Sequence, residues 1–174
     1  MVYGCRMELF LLRHGIAVER GALDYQNDAD RPLTAKGRRE LRQTAAALRK
    51  MKLGFDLILS SPILRARQTA EIVAAELKLV KRLAFSDDLV HGGDVKRMVA
   101  DLNRRKPAPE KVLLVGHEPD MGELIALFVT GKTDAGFALK KGGLAKLEIA
   151  GKLSAGRCAI LNWLLTPKLM ERMA

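Results

Sequence analysis

The run Leu9-Phe10-Leu11-Leu12 is wholly apolar and stops abruptly at Arg13-His14-Gly15. A short apolar run bounded by a turn signal reads as a strand buried on both faces, as in a sheet covered by helices on either side. The same grammar recurs twice. Phe55 to Leu59 ends at Ser60-Ser61-Pro62, and Lys111 to Val115 ends at Gly116-His117-Glu118-Pro119. Helical spacing follows each of these two directly.

The spacing of Leu41, Ala45 and Leu48 predicts a helix over 35–50 with Thr34 as its N-cap. Ala66, Ala70, Val73 and Leu77 form a second stripe, with Ser61 expected at the N-cap and Pro62 at the first helical position. A weak strand is expected around 79–85 and a helix over 94–105. Met121, Leu124, Ile125 and Phe128 mark a helix that begins just after Pro119. Leu144 to Ile149 alternates, and Arg157 to Leu165 is again apolar, which predicts a C-terminal β-hairpin. The fold class is therefore α/β: a three-layer α/β/α sandwich whose mostly parallel sheet has an antiparallel edge. The chain has 174 residues, and a single domain over 1–174 is expected.

The formal net charge is +10, which favours anionic partners. Aromatic residues make up only 5% and are not interleaved with Lys and Arg, which disfavours base stacking on nucleic acid. Solvated basic helix faces explain most of the excess. Cys5 and Cys158 fit no metal or redox spacing and read as reduced thiols of a cytoplasmic protein. Met1 to Met7 does not have the pattern of a signal peptide, and no run reaches the roughly 20 apolar residues of a membrane span.

In a parallel sheet the strand-to-helix junctions lie on one side, where ligands bind. Arg13, His14, Arg65 and His117 would then converge on one pocket, with helix N-termini adding positive dipole ends. Two Arg and two His suit a tetrahedral dianion. The chemistry that fits is phosphoryl transfer through a phosphohistidine: one imidazole attacks phosphorus while the cations and the other imidazole hold the equatorial oxygens. Neighbouring Arg charges should hold the nucleophile neutral, below the ordinary value of about 6.5. A backbone carbonyl near Gly15 is expected to fix its tautomer. Neither a metal nor a cofactor is called for.

The blocks LLRHG, SSPILRARQTA and VGHEPDMG, with RPLTAKG at 31–37, resemble the signature of the histidine phosphatase superfamily, the phosphoglycerate mutase-like proteins. The short chain and the RPLT block resemble its small phosphohistidine phosphatases of the SixA type. The resemblance implies His14 as the phosphorylated nucleophile, Arg13, Arg65 and His117 as the phosphate pocket, and Arg31 as a further substrate contact. Ile16-Ala17-Val18 stand where phosphoglycerate mutases carry polar residues, and the chain has no room for their long insertions. An unroofed pocket suits a phosphate displayed on a protein, such as a histidine-containing phosphotransfer domain.

Glu118 and Asp88 are the candidates for a general acid, which a phosphate ester needs and a phosphohistidine does not. The expected activity is thus hydrolysis of phosphohistidine in a signalling phosphoprotein. The alternatives are a broad small-molecule phosphomonoesterase of the same fold and, from another class, a non-catalytic module binding phosphoproteins or nucleic acid.

Overall fold

The computed structural model describes residues 5–22 and 25–174. Residues 1–4, 23 and 24 and the side chains of Cys5 and Arg6 lie outside the description. The expectations placed on the leading residues and on the Cys5 thiol fall there. Cys158 is a free thiol.

Among the described residues the order is β1 (Cys5–Arg13), α1 (Ala35–Lys50), β2 (Leu57–Ser60), α2 (Leu64–Glu76), β3 (Leu83–Phe85), α3 (Val95–Arg104), β4 (Lys111–Gly116), α4 (Asp120–Thr130), β5 (Leu144–Ala150), β6 (Ala159–Leu165) and α5 (Pro167–Met173). The six strands form one sheet in the order β3-β2-β4-β1-β5-β6. The pairs β2–β3, β2–β4 and β1–β4 are parallel, while β5 joins β1 antiparallel and carries β6 outward. This is the α/β sandwich with an antiparallel edge that the run pattern implies.

Alternation along each strand divides the core in two. Leu9, Leu11, Leu57, Leu59, Val112 and Leu114 face α3 and α4. Phe10, Leu12, Ile58, Leu113 and Val115 face α1, α2 and α5. Leu9 to Leu12 are completely buried, as strands between two helical layers require.

Local chemistry sets most boundaries. Thr34 caps α1 by accepting from the Gly37 N–H at 3.0 Å, and Asp94 caps α3 by accepting from Arg97 N–H at 3.0 Å. Gly131, at φ 87°, ends α4 in the left-handed region. Three starts differ from expectation, one being β3, which begins at Leu83 behind a 3-10 turn over Val80–Arg82. β2 starts at Leu57, because the Asp56 carboxylate brackets the chain by accepting from Glu110 N–H and Lys111 N–H, both at 2.9 Å.

α2 starts at Leu64, with Ile63 in the cap position and no side-chain cap. Ser61 precedes a proline and stays extended, and its N–H continues the ladder to Val115 O at 2.9 Å. The turn into the helix therefore comes after Pro62. A further difference is α5, which the sequence pattern does not predict; at seven residues it is too short to show a period. Its Met170 is completely buried against the α1–α2 side.

No helix among the described residues is long and apolar enough to cross a membrane.

Candidate functional site

The register of the central strands places the key residues. Arg13 lies opposite Gly116 on the parallel pair β1–β4, and the His14 N–H donates to Gly116 O at 3.0 Å. His14 and His117 therefore leave adjacent strand ends, with ring centroids 5.3 Å apart. Both are buried, as is Arg65. Arg65 sits in the first turn of α2 and returns across the end of β2. Its Nε donates to His14 Nε2 at 3.3 Å.

The tautomer of His14 follows from its bonds. Nδ1 lies 2.7 Å from Gly15 O, and a carbonyl only accepts, so Nδ1 carries the hydrogen and Nε2 keeps its lone pair. Gly15 is itself held, its N–H donating to Thr69 Oγ1 at 3.1 Å, while the Thr69 hydroxyl donates to Arg65 O at 2.7 Å. One helix thus positions both the turn that carries His14 and the arginine beside it.

Arg13 is fixed by the segment that precedes β5. Its Nη1 donates to Leu139 O at 2.8 Å, its own N–H to Gly143 O at 3.1 Å, and Gly142 N–H donates to the Arg13 and His14 carbonyls at 3.1 and 3.0 Å. Two buried polar atoms have no partner among the described residues, Arg13 Nε and His117 Nδ1. Buried polar groups are ordinarily bonded. Two unbonded nitrogens beside a neutral imidazole with an Nε2 lone pair make a cradle suited to an oxyanion.

That segment docks on α4 through Gly122, where a Cβ would come within 2.1 Å of Phe137 O. Gly122→Ala is expected to displace the segment and loosen Leu139 O from Arg13. The expected loss is about 1–3 kcal/mol of stability and about 10²-fold in turnover. Urea denaturation and steady-state kinetics check the two figures.

Electrostatics keep both imidazoles neutral. Burial pushes His14 down to about 3; His117, Arg65 and Arg13 push the same way, against the bond to Gly15. Burial, then Arg65, pushes His117 down to about 4. Protonation of His14 removes the Nε2 lone pair that an attack on phosphorus would use. The acid limb of kcat/KM is therefore expected near pH 3, far below the ordinary histidine value of about 6.5, and a pH–rate profile measures it. The unfolded chain takes up protons at both rings near the ordinary value, the folded chain only at the depressed ones. Stability linked to these rings is complete above the ordinary value and erodes as pH falls toward 4 and 3.

The other candidates fall elsewhere. Glu118 Oε1 accepts from Leu139 N–H at 2.8 Å, and the Gly122 N–H also bonds its carboxylate. Burial raises Glu118, and these N–H groups and Arg13 oppose the rise. Its carboxylate thus holds the residue whose carbonyl holds Arg13. Asp88 is paired with Arg97, and His91 is exposed and bonded to Asp120.

Arg31 reaches the cradle only through Asp28: its Nε and Nη2 donate to Asp28 Oδ1 at 3.0 and 2.7 Å, and Arg65 Nη2 lies 3.0 Å from Asp28 Oδ2. Asp28 also pairs with Arg20. Burial opposes ionisation of Asp28, but the three guanidiniums outweigh it and hold the carboxyl at about 2. Sequence pattern assigns no role to Asp28 and reads Ser61 as a cap. Ser61 in fact lies completely buried, its Oγ 2.9 Å from His117 Nε2. The doubled serine before Pro62 was the available signal. Among the described residues, no group of three or more His, Cys, Asp or Glu is placed to hold a metal ion.

The family model of the histidine phosphatase superfamily (branch 1) matches residues 9–91. The chain is 42% identical over 164 residues to an uncharacterized protein of Picosynechococcus sp., covering 93% of this chain and 98% of that one. It is 33% identical over 162 residues to the phosphohistidine phosphatase SixA of Escherichia coli, covering 92% and 94%. Its structure is similar to that of the protein histidine phosphatase SixA complexed with tungstate, with a TM-score of 0.77 and 32% identity over 93% of this chain and 98% of that one.

Proposed function

The chain belongs to the histidine phosphatase superfamily, and from that premise we propose that it hydrolyses phosphohistidine on a protein through a phosphoryl intermediate on His14. The observation that carries this reading is the state of His14. It is buried and neutral, its Nδ1–H is tied to Gly15 O, and its Nε2 lone pair faces Arg65 Nε. A relative bound to tungstate, itself a tetrahedral oxyanion, supports a cradle of this kind.

In the proposed reaction the His14 Nε2 lone pair forms a bond to phosphorus as the phosphorus–nitrogen bond of the substrate breaks. The substrate imidazole leaves with the electron pair and is neutral if its other nitrogen already carries a proton. Water then attacks phosphorus, the bond to His14 breaks, and inorganic phosphate departs. Arg13, Arg65 and His117 hold the equatorial oxygens throughout, donors fixed in advance where charge develops. Glu118 acts on this set from behind, through Leu139 and Arg13.

The commitments of the two candidate acids favour phosphohistidine over esters. Glu118 is bonded to backbone N–H groups and Asp88 to Arg97. An alkoxide leaving group needs a proton donor worth about 10²–10⁴ in rate, whereas a protonated imidazole leaves without one. The net charge of +10 also suits an acidic phosphoprotein partner.

The test is turnover of a phosphohistidine-bearing phosphotransfer protein beside a panel of phosphate esters, without added metal. Fast loss of the protein phosphate with slow ester hydrolysis is expected. Equally fast ester hydrolysis would move the substrate to small molecules. Turnover of neither would favour a binding module, which salt-dependent nucleic-acid binding would separate from phosphoprotein binding.

A further inference from the structure

We propose that Ser61 is a positioning residue that fixes the tautomer of His117, so that Nδ1 carries the hydrogen and is offered to the phosphoryl oxygens. What that donor serves rests on the phosphatase reading above; the tautomer itself rests on hydrogen bonding alone. Ser61 is completely buried, and its N–H donates to Val115 O at 2.9 Å, so its side chain is registered beside the end of β4, where His117 emerges. Pro62 has no N–H, and the next donor, Ile63 N–H, bonds back to Ser61 Oγ at 3.3 Å. This i to i+2 turn fixes the hydroxyl oxygen as an acceptor on one side.

His117 Nε2 lies on its other side at 2.9 Å. If Nε2 carried the hydrogen, Ser61 Oγ would accept twice, its own hydrogen would have no partner among the described residues, and Nδ1 would be a bare lone pair. A lone pair repels a phosphoryl oxygen. If the hydroxyl donates to Nε2, its hydrogen and the Nε2 lone pair are both satisfied, and Nδ1–H is the one remaining donor. Nδ1 is the ring atom with no partner, and the ring stands 5.3 Å from His14 between centroids. His117 is neutral at pH 7, so the two tautomers are the states in competition. The serine that sequence reads as a helix cap serves the second histidine instead.

The experiment is two-bond ¹H–¹⁵N correlation of the histidine side chains in the full chain at pH 7, with His117 assigned from a His117→Asn spectrum. Wild type is expected to show His117 protonated at Nδ1 and bare at Nε2. In Ser61→Ala that pattern is expected to collapse toward a mixture, with kcat on the phosphohistidine protein falling about 10²-fold and KM little changed. A wild-type spectrum with the hydrogen on Nε2, or a Ser61→Ala spectrum identical to wild type, would overturn the proposal. The wild-type spectrum decides even if the variant is unfolded. The expected spectra from a protein that turns over no phosphate would sustain the tautomer assignment and sink the phosphatase reading.

Discussion

His14→Ala is expected to lose at least about 10⁴-fold in kcat, the scale on which removing a covalent nucleophile acts. Only His14 presents a neutral, unprotonated ring nitrogen to Arg65. On the tautomer proposed above His117 cannot substitute, since its Nε2 is engaged by Ser61 and its Nδ1 carries the hydrogen. The fold should survive. The His14 backbone bond to Gly116 O is independent of the side chain, and the ring's own bonds are confined to Gly15 and Arg65. Circular dichroism and acid-quenched labelling check both halves: a native spectrum, and no phosphoenzyme where wild type traps one. Residual turnover within tenfold of wild type would remove His14 from the mechanism.

Arg65→Ala is expected to cost about 10³-fold in kcat, the upper part of the range for a fixed donor at developing charge. Arg65→Lys should recover little of it. The guanidinium does three jobs from one plane: Nε faces His14, Nη1 donates to Asp28 O at 2.8 Å, and Nη2 pairs with the Asp28 carboxylate. An ammonium is a compact charge without that fork. In the variants Asp28 keeps Arg20 and Arg31 but loses its tie to the cradle. Inorganic phosphate should accordingly inhibit both variants less than wild type. Rescue by lysine would mean that charge alone is needed there, and that the fork is not.

The sheet was legible because buried strands carry a signal that few other elements imitate. Leu9 to Leu12 and Lys111 to Val115 are too short and too apolar for amphipathic helices, and each stops at a polar turn. Their adjacency, β1 beside β4, was not legible; strand order depends on crossovers that local spacing does not encode. The arginines and histidines were legible for the same reason as the strands, since they sit where the apolar runs end. Glu118 and Ser61 carry other roles in the sequence reading, and Asp28 carries none. What each does depends on a contact distant in sequence: Leu139 for Glu118, Arg65 for Asp28, and His117 for Ser61. Residue type announces that a group can bond, and the partner is known only once the chain has closed.

The placement of His14 and His117 on neighbouring central strands also bears on how the molecule fails. Amides at the middle of a sheet exchange with solvent only when the whole structure opens, whereas surface segments open on their own at little cost. His14 N–H is bonded across to β4, and Arg13 N–H to the segment before β5. The cradle therefore belongs to the last part of the protein to come apart. During denaturation, activity and global structure should disappear together.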